Sequence, residues 1–177
     1  MKKWIGTGLM LLLFTAAQAQ DDAIVKFFSK HMENDNFSRV YISPKMMQMA
    51  GGFLKSEAEV KESDEKDLGE LMQKVRGIRI LSGENVNGKG LYQEAMSTLN
   101  KNKYEDLMDV QDKDQSLKFM VREENGLITE LLMLSGSEKD FTLLSMLGNF
   151  TYEDLNLLAE KTNLPGMNEY QSGKNKE

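Results

Sequence analysis

The 177-residue chain has no cysteine, one histidine, two prolines and one tryptophan. The absence of cysteine excludes disulfides, a thiol nucleophile and thiolate ligands for a metal. The single histidine, His31, cannot supply the several imidazole ligands of a typical transition-metal site. At the end of a predicted helix, we expect it to cap carbonyl groups or to pack its ring. Stability must come from an ordinary hydrophobic core, and this length suffices for one domain.

Basic residues are fewer than acidic residues, 22 against 28, which gives a formal net charge of −6. Loss of the two lysines at positions 2 and 3 with a signal peptide would leave 20 basic and 28 acidic residues, a net charge of −8. An acidic chain lacks the basic face that nucleic-acid binding needs, so we expect no nucleic-acid partner. The same charge argues against electrostatic docking on anionic lipid.

The N-terminal residues have the layout of a secretion signal. Two lysines precede an apolar stretch over residues 4–15, and Ala17-Gln18-Ala19 has the small residues of a cleavage site. The apolar stretch is shorter than the roughly 20 residues that span a bilayer. We predict a signal peptide over residues 1–19, cleaved after Ala19, and an exported protein of the periplasm or cell envelope. That protein would have no stable membrane insertion; an uncleaved N-terminal anchor is the alternative.

The strongest structural pattern is a run of three predicted strands over residues 116–147. Leu117, Phe119 and Val121 alternate with Lys118, Met120 and Arg122, as in a strand with one buried face. Asn125-Gly126 predicts a two-residue hairpin turn, because both central positions of a type I′ turn need positive φ. The second and third strands are apolar on both sides, which is typical of strands inside a sheet. The first strand is expected nearer an edge.

The predicted turn also fixes a register for the first two strands. It places Phe119 opposite Leu132, and it leaves Glu130 as the one acidic residue on the apolar side, opposite Val121. The other side then carries a candidate interaction face made of Met120, Leu131, Met133 and Arg122. We expect that face to be either a surface for a partner or the floor of a second helical layer.

The periodicity of the whole chain predicts an α+β fold. Helices are predicted over residues 23–32, from residue 44, over residues 68–75, around residues 92–99 and from residue 151; strands are predicted over residues 38–42, 77–81, 104–110, 116–122, 128–134 and 141–147. We expect a mostly antiparallel sheet of five or six strands, with a C-terminal meander and with helices chiefly on one face. One domain would cover residues 20–166, with two related halves dividing near residues 83–90 as a variant, before a flexible tail over residues 167–177.

Three methionines lie near the start of the second predicted helix, which Ser43 and Pro44 begin as N-cap and first residue. Thioethers are soft ligands for Cu(I), so Met46, Met47 and Met49 suggest a metal carrier. Met46 and Met49 also share one apolar helical face with Ala50 and Phe53, as core residues do. No histidine or cysteine stands nearby, so we favour core packing and expect no metal and no cofactor.

Two polar segments resemble ligand-binding loops without matching them. Residues 83–90, GENVNGKG, approach a phosphate-binding loop, but Gly90 stands where the loop needs serine or threonine. Residues 55–67 are rich in carboxylates but fit no calcium-loop spacing. We expect a plain loop at the first segment and a solvated connector or helical surface at the second.

The C-terminal strands are similar to those of a family of small exported Bacteroidota proteins, known only as a domain of unknown function. The family's strands read F-x-(I/V)-(K/R)-E, I-x-E-L-L-M-L and D-F-x-L-L-x-L-x-G, which correspond to Phe119–Glu123, Ile128–Leu134 and Asp140–Gly148. The resemblance implies an envelope protein without known activity and without defined site residues. Because some relatives are encoded near sigma-factor regulators, it also implies a role in envelope signalling.

No catalytic residue set is recognisable, since no serine lies in a G-x-S-x-G turn and the carboxylates lie mostly in surface-like segments. We expect no enzyme activity. The first hypothesis is an exported interaction module that binds an unknown protein partner in the cell envelope. A small-ligand or metal carrier is the alternative, and a hydrolase built from two carboxylates distant in the chain is a third possibility.

Overall fold

The computed structural model describes residues 22–31, 33–58, 63–99 and 104–161. The predicted signal peptide, residues 1–19, and the predicted tail, residues 167–177, lie outside the described residues. Within them the chain forms five helices and six strands, in the order α1 (Asp22–Lys30), β1 (Phe37–Ile42), α2 (Pro44–Ala58), α3 (Ser63–Lys74), β2 (Val75–Glu84), α4 (Gly88–Leu99), β3 (Glu105–Gln111), β4 (Gln115–Glu124), β5 (Leu127–Ser137), β6 (Asp140–Phe150) and α5 (Tyr152–Lys161). The predicted α+β class is confirmed.

The six strands form one antiparallel sheet in the order β1-β2-β6-β5-β4-β3. The last four strands of the chain are a meander, as predicted, and β2 joins it by pairing with β6. The two strands predicted to be interior, β5 and β6, lie at the centre of the sheet. The strands at its two edges are β1 and β3.

The hairpin between β4 and β5 has the predicted turn but not the predicted register. Asn125 and Gly126 have φ angles of 55° and 78°, and Glu124 pairs with Leu127. One extra residue on β5, Thr129, then shifts the pairing by one position, so that Phe119 lies opposite Met133 instead of Leu132. The predicted register is therefore wrong beyond the first two pairs, because a β-bulge moves every later side chain of β5 to the other face.

Helices cover both faces of the sheet, so the molecule has two hydrophobic cores. On one face α2, α3 and α5 contribute side chains such as Met47, Leu71 and Leu155. On the other face α1 and α4 contribute Phe27 and Leu99. The second helical layer is thus present, and the helices divide three to two between the faces, a more even cover than predicted.

Helices α2 and α5 begin at the side-chain caps that their sequences predict. The Met46 amide donates to Ser43 Oγ at 3.2 Å, with Pro44 as the first helical residue. In α5 the Asp154 amide donates to Thr151 Oγ1 at 3.2 Å, and the Thr151 amide donates back to Asp154 Oδ2 at 2.8 Å. This reciprocal capping box satisfies amides that the helix itself leaves without partners.

Helices α2 and α3 cross at two glycines. A Cβ atom built on Gly51 would lie 2.7 Å from the carbonyl oxygen of Gly69, and one built on Gly69 would lie 3.0 Å from the carbonyl oxygen of Gly51. The two backbones therefore touch at this point, which only glycine permits. Gly51 lies inside α2 and allows the helix to pack closely against α3.

We expect Gly51→Ala to destabilise the protein by about 1–3 kcal/mol, because the added methyl group overlaps backbone atoms of α3. The matched control is the next residue. A Cβ atom on Gly52 would meet nothing within 4 Å, so Gly52→Ala should stabilise the helix by roughly 0.5–1 kcal/mol. Urea unfolding of the two variants measures the difference, and effects of equal sign would contradict the close helix crossing.

Candidate interaction surface

The four residues predicted to form an interaction face do not share a surface. Met120 belongs to the core under α1 and α4, whereas Leu131 and Met133 belong to the core under α2, α3 and α5. All three are buried, and Arg122 is partly buried. The bulge at Thr129 is the physical cause, because it turns Leu131 and Met133 to the face opposite Met120. The sheet interior therefore offers no partner surface at these positions.

Glu130 is a buried carboxylate whose two oxygens are both occupied. The residue is 3 % exposed. The Ser145 hydroxyl donates to Oε1 at 2.6 Å, and the Tyr104 hydroxyl donates to Oε2 at 2.7 Å. The guanidinium of Arg122 lies 3.1 Å from Oε2 and 5.7 Å from the centre of the Tyr104 ring. A carboxylate paired in this way stabilises a specific strand arrangement, since an unpaired buried charge costs several kcal/mol.

A second buried charge, Lys118, is paired between β4 and the edge strand β3. Its ammonium group lies 2.9 Å from Asp106 and 2.8 Å from Asp109, both on β3. Burial acts to lower the pKa of Lys118, but the hydrogen bonds and charges of these two carboxylates outweigh it and raise that pKa. Lys118 therefore remains charged at neutral pH and neutralises part of the acidic strand β3.

Three of the most exposed large apolar side chains lie on one stripe of α2. Met46 is 58 % exposed, Met49 is 61 % exposed and Phe53 is 67 % exposed. Their spacing of i, i+3 and i+7 places them on one helical face. We call these three residues the α2 stripe. The three residues share one face, as predicted, but that face points to solvent, so the predicted core packing is wrong for them. Of the three clustered methionines, only Met47 is buried.

The α2 stripe faces away from α3. Lys55 of α2 lies on the α3 side, with its ammonium group 3.5 Å from Glu70. The stripe lies roughly opposite Lys55 around the helix axis, at about 100° per residue. Helix α3 in turn contacts α5, so α2 is the outermost helix of its layer. Helix α5 contacts β6, α3 contacts β6 and β2, and α2 contacts β2, so the side of α2 that faces away from α3 is the side toward the β1 edge of the sheet.

The β1 edge carries two further exposed apolar side chains. Tyr41 is 65 % exposed and Val40 is 47 % exposed. Val40 lies on the same face as Ile42, which packs against the core that α2 covers. Tyr41 points to the other face, the one that carries Phe37 and the second core. Val40, on the face that α2 covers, adds to the exposed apolar surface at this edge, and a contiguous exposed apolar surface is typical of interaction sites.

This part of the molecule is basic, although the chain as a whole is acidic. Between Asn36 and Ser56 the sequence contains Arg39, Lys45 and Lys55 but no aspartate or glutamate. The neighbouring strand β2 adds arginines at positions 76 and 79 before its first acidic residue, Glu84. The segment that carries β1 and the α2 stripe therefore has the opposite charge to the molecule's average, although Lys55 is paired with Glu70 of α3.

A small cavity lies at the other end of β1 and β2. Its volume is about 340 Å³, and it is lined by Asp35, Asn36, Phe37, Ser38, Ser82, Glu84 and Asn85. Apart from Phe37 the lining is polar, whereas small-molecule sites are predominantly apolar with few polar groups. The cavity gives little support to the small-ligand alternative.

The comparisons with known proteins identify the family. A model of a domain of unknown function, DUF4252, matches residues 28–158, well over half of the chain. The chain belongs to the DUF4252 family. The matched range contains the α2 stripe and the whole sheet of the DUF4252 domain. No curated protein and no solved structure matches this chain.

Neither a membrane-spanning helix nor a cluster of metal ligands is found among the described residues of this DUF4252 protein. None of the helices in the described ranges is long and apolar enough to cross a membrane. In the same ranges, no three residues among histidine, cysteine, aspartate and glutamate are placed to hold a metal ion together. The methionines do not converge either, because Met47 points into the core while Met46 and Met49 point to solvent.

His31 packs its ring, as one of the two sequence-based expectations held. Its ring centroid lies 4.9 Å from that of Phe27 and 4.8 Å from that of Phe37. Burial lowers the pKa of His31 below its usual value of 6.5, although Glu94, 3.9 Å from Nε2, acts to raise it. The DUF4252 fold therefore favours a neutral imidazole at this position.

Because the folded state has the lower pKa, the unfolded state takes up the proton first as the pH falls. The contribution of His31 is fully present above about pH 6.5 and is lost as the pH falls through the folded-state pKa. We expect unfolding midpoints in urea to fall between about pH 7.5 and about pH 5.5. His31→Phe keeps an aromatic ring without titration and should flatten this slope. An unchanged slope in the variant would contradict the assignment.

Glu130→Leu should destabilise the DUF4252 domain by about 3–5 kcal/mol, because the largely buried guanidinium of Arg122 loses the carboxylate at 3.1 Å, and Glu124 lies farther away, at 3.8 Å. The matched control is Glu138→Leu in the β5–β6 turn. Its side chain is 81 % exposed, so the cost should stay below about 0.5 kcal/mol. Adding Arg122→Met to Glu130→Leu should recover most of the loss in equilibrium unfolding. Equal costs at positions 130 and 138 would show that the buried pair does not hold the hairpin.

Proposed function

We propose that this DUF4252 protein is exported and acts without catalysis as a protein-interaction module of the cell envelope. The single observation that carries the proposal is the α2 stripe: three large apolar side chains on one helix, each more than half exposed. Fully burying a methionine or phenylalanine side chain contributes roughly 1.5–3 kcal/mol. A stripe of this kind stabilises a complex when a partner covers it, and methionine suits such surfaces because its side chain adapts to the partner.

Two buried charges of the molecule support a structural role for the interior of the sheet. Glu130 and Lys118 are bound to partners within the fold. The N-terminal sequence supports export, since residues 1–19 have the three regions of a signal peptide. The family resemblance supports placement in envelope signalling, where a module of this kind would transmit a signal by binding and release.

The proposal is tested by photo-crosslinking in the cells that make the protein. A benzophenone amino acid replaces Met49 in one variant and Lys113 in a second. Lys113 is exposed in the turn after β3, at the opposite edge of the sheet. We expect an adduct with an envelope protein from position 49 and none from position 113. The protein recovered from the envelope fraction should begin at Gln20.

A third variant combines the crosslinker at position 49 with Phe53→Glu. Phe53 is exposed, so the change should alter stability by less than about 0.5 kcal/mol, while the added carboxylate should prevent burial of the stripe. We expect the adduct to disappear. The same adduct in this variant, or equal adducts from positions 49 and 113, would show that the stripe is not the binding surface. A cytoplasmic protein with an intact N-terminus would disprove export.

A further inference from the structure

We propose that the partner adds an extended strand to the open edge of β1, and that this strand alternates acidic with apolar residues. This inference rests on the proposed function, since it names the partner chemistry of the same surface. It is carried by the main-chain geometry of β1, by the two faces of that strand and by the local charge.

Two residues of β1 point their main-chain groups away from the sheet. The Glu84 amide donates to the Asn36 carbonyl oxygen at 3.1 Å, which places this pair in the hydrogen-bonded class of an antiparallel ladder. Pairing then alternates, so Val40 points its main-chain groups toward β2, whereas Arg39 and Tyr41 point theirs outward. In the part of the chain that the structure describes, no strand lies on that outer side. Arg39 and Tyr41 thus offer two amides and two carbonyl groups to an incoming strand.

β1 is less protected than the other edge strand against pairing with another chain. Edge strands are normally protected by bulges and charges against pairing with another chain. β3 has both protections: a register shift between Asp106 and Met108, and several carboxylates. The pairing of β1 with β2 runs without a shift along the whole strand, and Val40 and Tyr41 are exposed. Of the two edges, β1 is therefore the one suited to strand addition.

The two faces of β1 determine which side chains suit the added strand. Its residues would alternate between the two faces of the sheet. On one face they would lie beside Val40 and the neighbouring α2 stripe, which favours apolar residues. On the other face they would lie beside Arg39, and Arg79 pairs with Tyr41 on that same face. Neither arginine forms an ion pair within the described residues, so acidic residues are favoured there.

A second copy of the chain and a lipid surface fit this edge less well than an acidic strand. A second copy of the chain would bring the same basic edge against itself, and like charges disfavour that pairing. A lipid surface could cover the α2 stripe, but it has no main-chain groups that pair regularly with Arg39 and Tyr41. An acidic polypeptide strand satisfies the hydrogen bonds, the apolar stripe and the charge together.

The test selects displayed random peptides for binding to the purified exported protein, immobilised through a C-terminal tag. We expect the retained peptides to be enriched in alternating acidic and apolar residues. Reversing the charge with Arg39→Glu and Arg79→Glu, the two arginines of that face, should turn that preference from acidic to basic residues. Retention of acidic peptides by the charge-reversed protein, or no enrichment on the wild-type protein, would overturn the proposal.

Tyr41→Pro tests the strand addition itself. Proline is tolerated on an edge strand where the amide faces solvent, so the pairing of β1 with β2 should survive, and circular dichroism checks this. The lost amide and the proline ring should weaken peptide binding by about 10-fold or more. Tyr41→Thr removes the same side chain but keeps the amide, and it should bind at least half as well as the wild type. Equal binding by the proline and threonine variants would overturn the proposal.

Phe53→Glu separates failure of this inference from failure of the proposed function. If Phe53→Glu abolishes peptide binding while Tyr41→Pro does not, the stripe binds partners without strand addition, and only this inference fails. If neither change affects binding, both fail. Dimerisation in sedimentation velocity that Tyr41→Pro abolishes would assign the edge to a second copy. Binding to phosphatidylglycerol vesicles that Phe53→Glu abolishes would assign the surface to lipid. Either result would overturn the acidic-strand proposal.

Discussion

The buried pair of Glu130 and Arg122 fixes the register on which the rest of the sheet depends. Side chains alternate along a strand, so a one-residue slip would turn all of β5 to the opposite face. Without the extra residue at Thr129, the Glu130 carboxylate would lie opposite Val121, in the apolar core under α2, α3 and α5. With the bulge, it lies opposite Arg122 and within hydrogen-bonding distance of Ser145 and Tyr104. Since an unpaired buried carboxylate costs several kcal/mol, this pairing selects one register from the two.

Two complete cores follow from that register. Leu131 and Met133 join one core, and Leu132 and Leu134 join the other. Both faces of the central strands are then apolar and both need a helical cover, which the five helices provide. A sheet covered on both faces leaves its edges and the outer sides of its helices as the places where a partner can bind. The most exposed large apolar side chains, those of Tyr41, Met46, Met49 and Phe53, are accordingly found on β1 and α2, at one edge.

Much of this fold could be predicted from local sequence, because its signals act over a few residues. The Asn125-Gly126 turn, the Ser43 cap and the Thr151 capping box each depend on contacts within four residues. The bulge could not be read in the same way, since it depends on where a carboxylate finds a partner on another strand. One signal was available: Glu130 was the single acidic residue on a predicted apolar face. A charge that contradicts a pattern indicates that the pattern shifts there.

The α2 stripe shows a different limit of sequence reasoning. Periodicity places Met46, Met49 and Phe53 on one face, but it cannot tell whether that face meets the sheet or solvent. In this fold the close crossing at Gly51 and Gly69 decides the question. α2 packs on α3 through its small residues, which leaves Met46, Met49 and Phe53 outside, while Met47 points into the core. Glycine in a helix is often read as a weakness of the helix; here it determines which face of α2 is buried.

The net charge of the chain is also misleading when it is applied to this surface. A total of −6 argues against anionic partners for the molecule as a whole. Charges act over about 10 Å at physiological salt, however, so a partner at β1 is affected mainly by the side chains around it. Those include Arg39 and Lys45, while the nearest acidic strand, β3, lies at the opposite edge and is partly neutralised by Lys118. The two edges of this acidic protein therefore differ in charge, and the proposed acidic strand would meet the basic one.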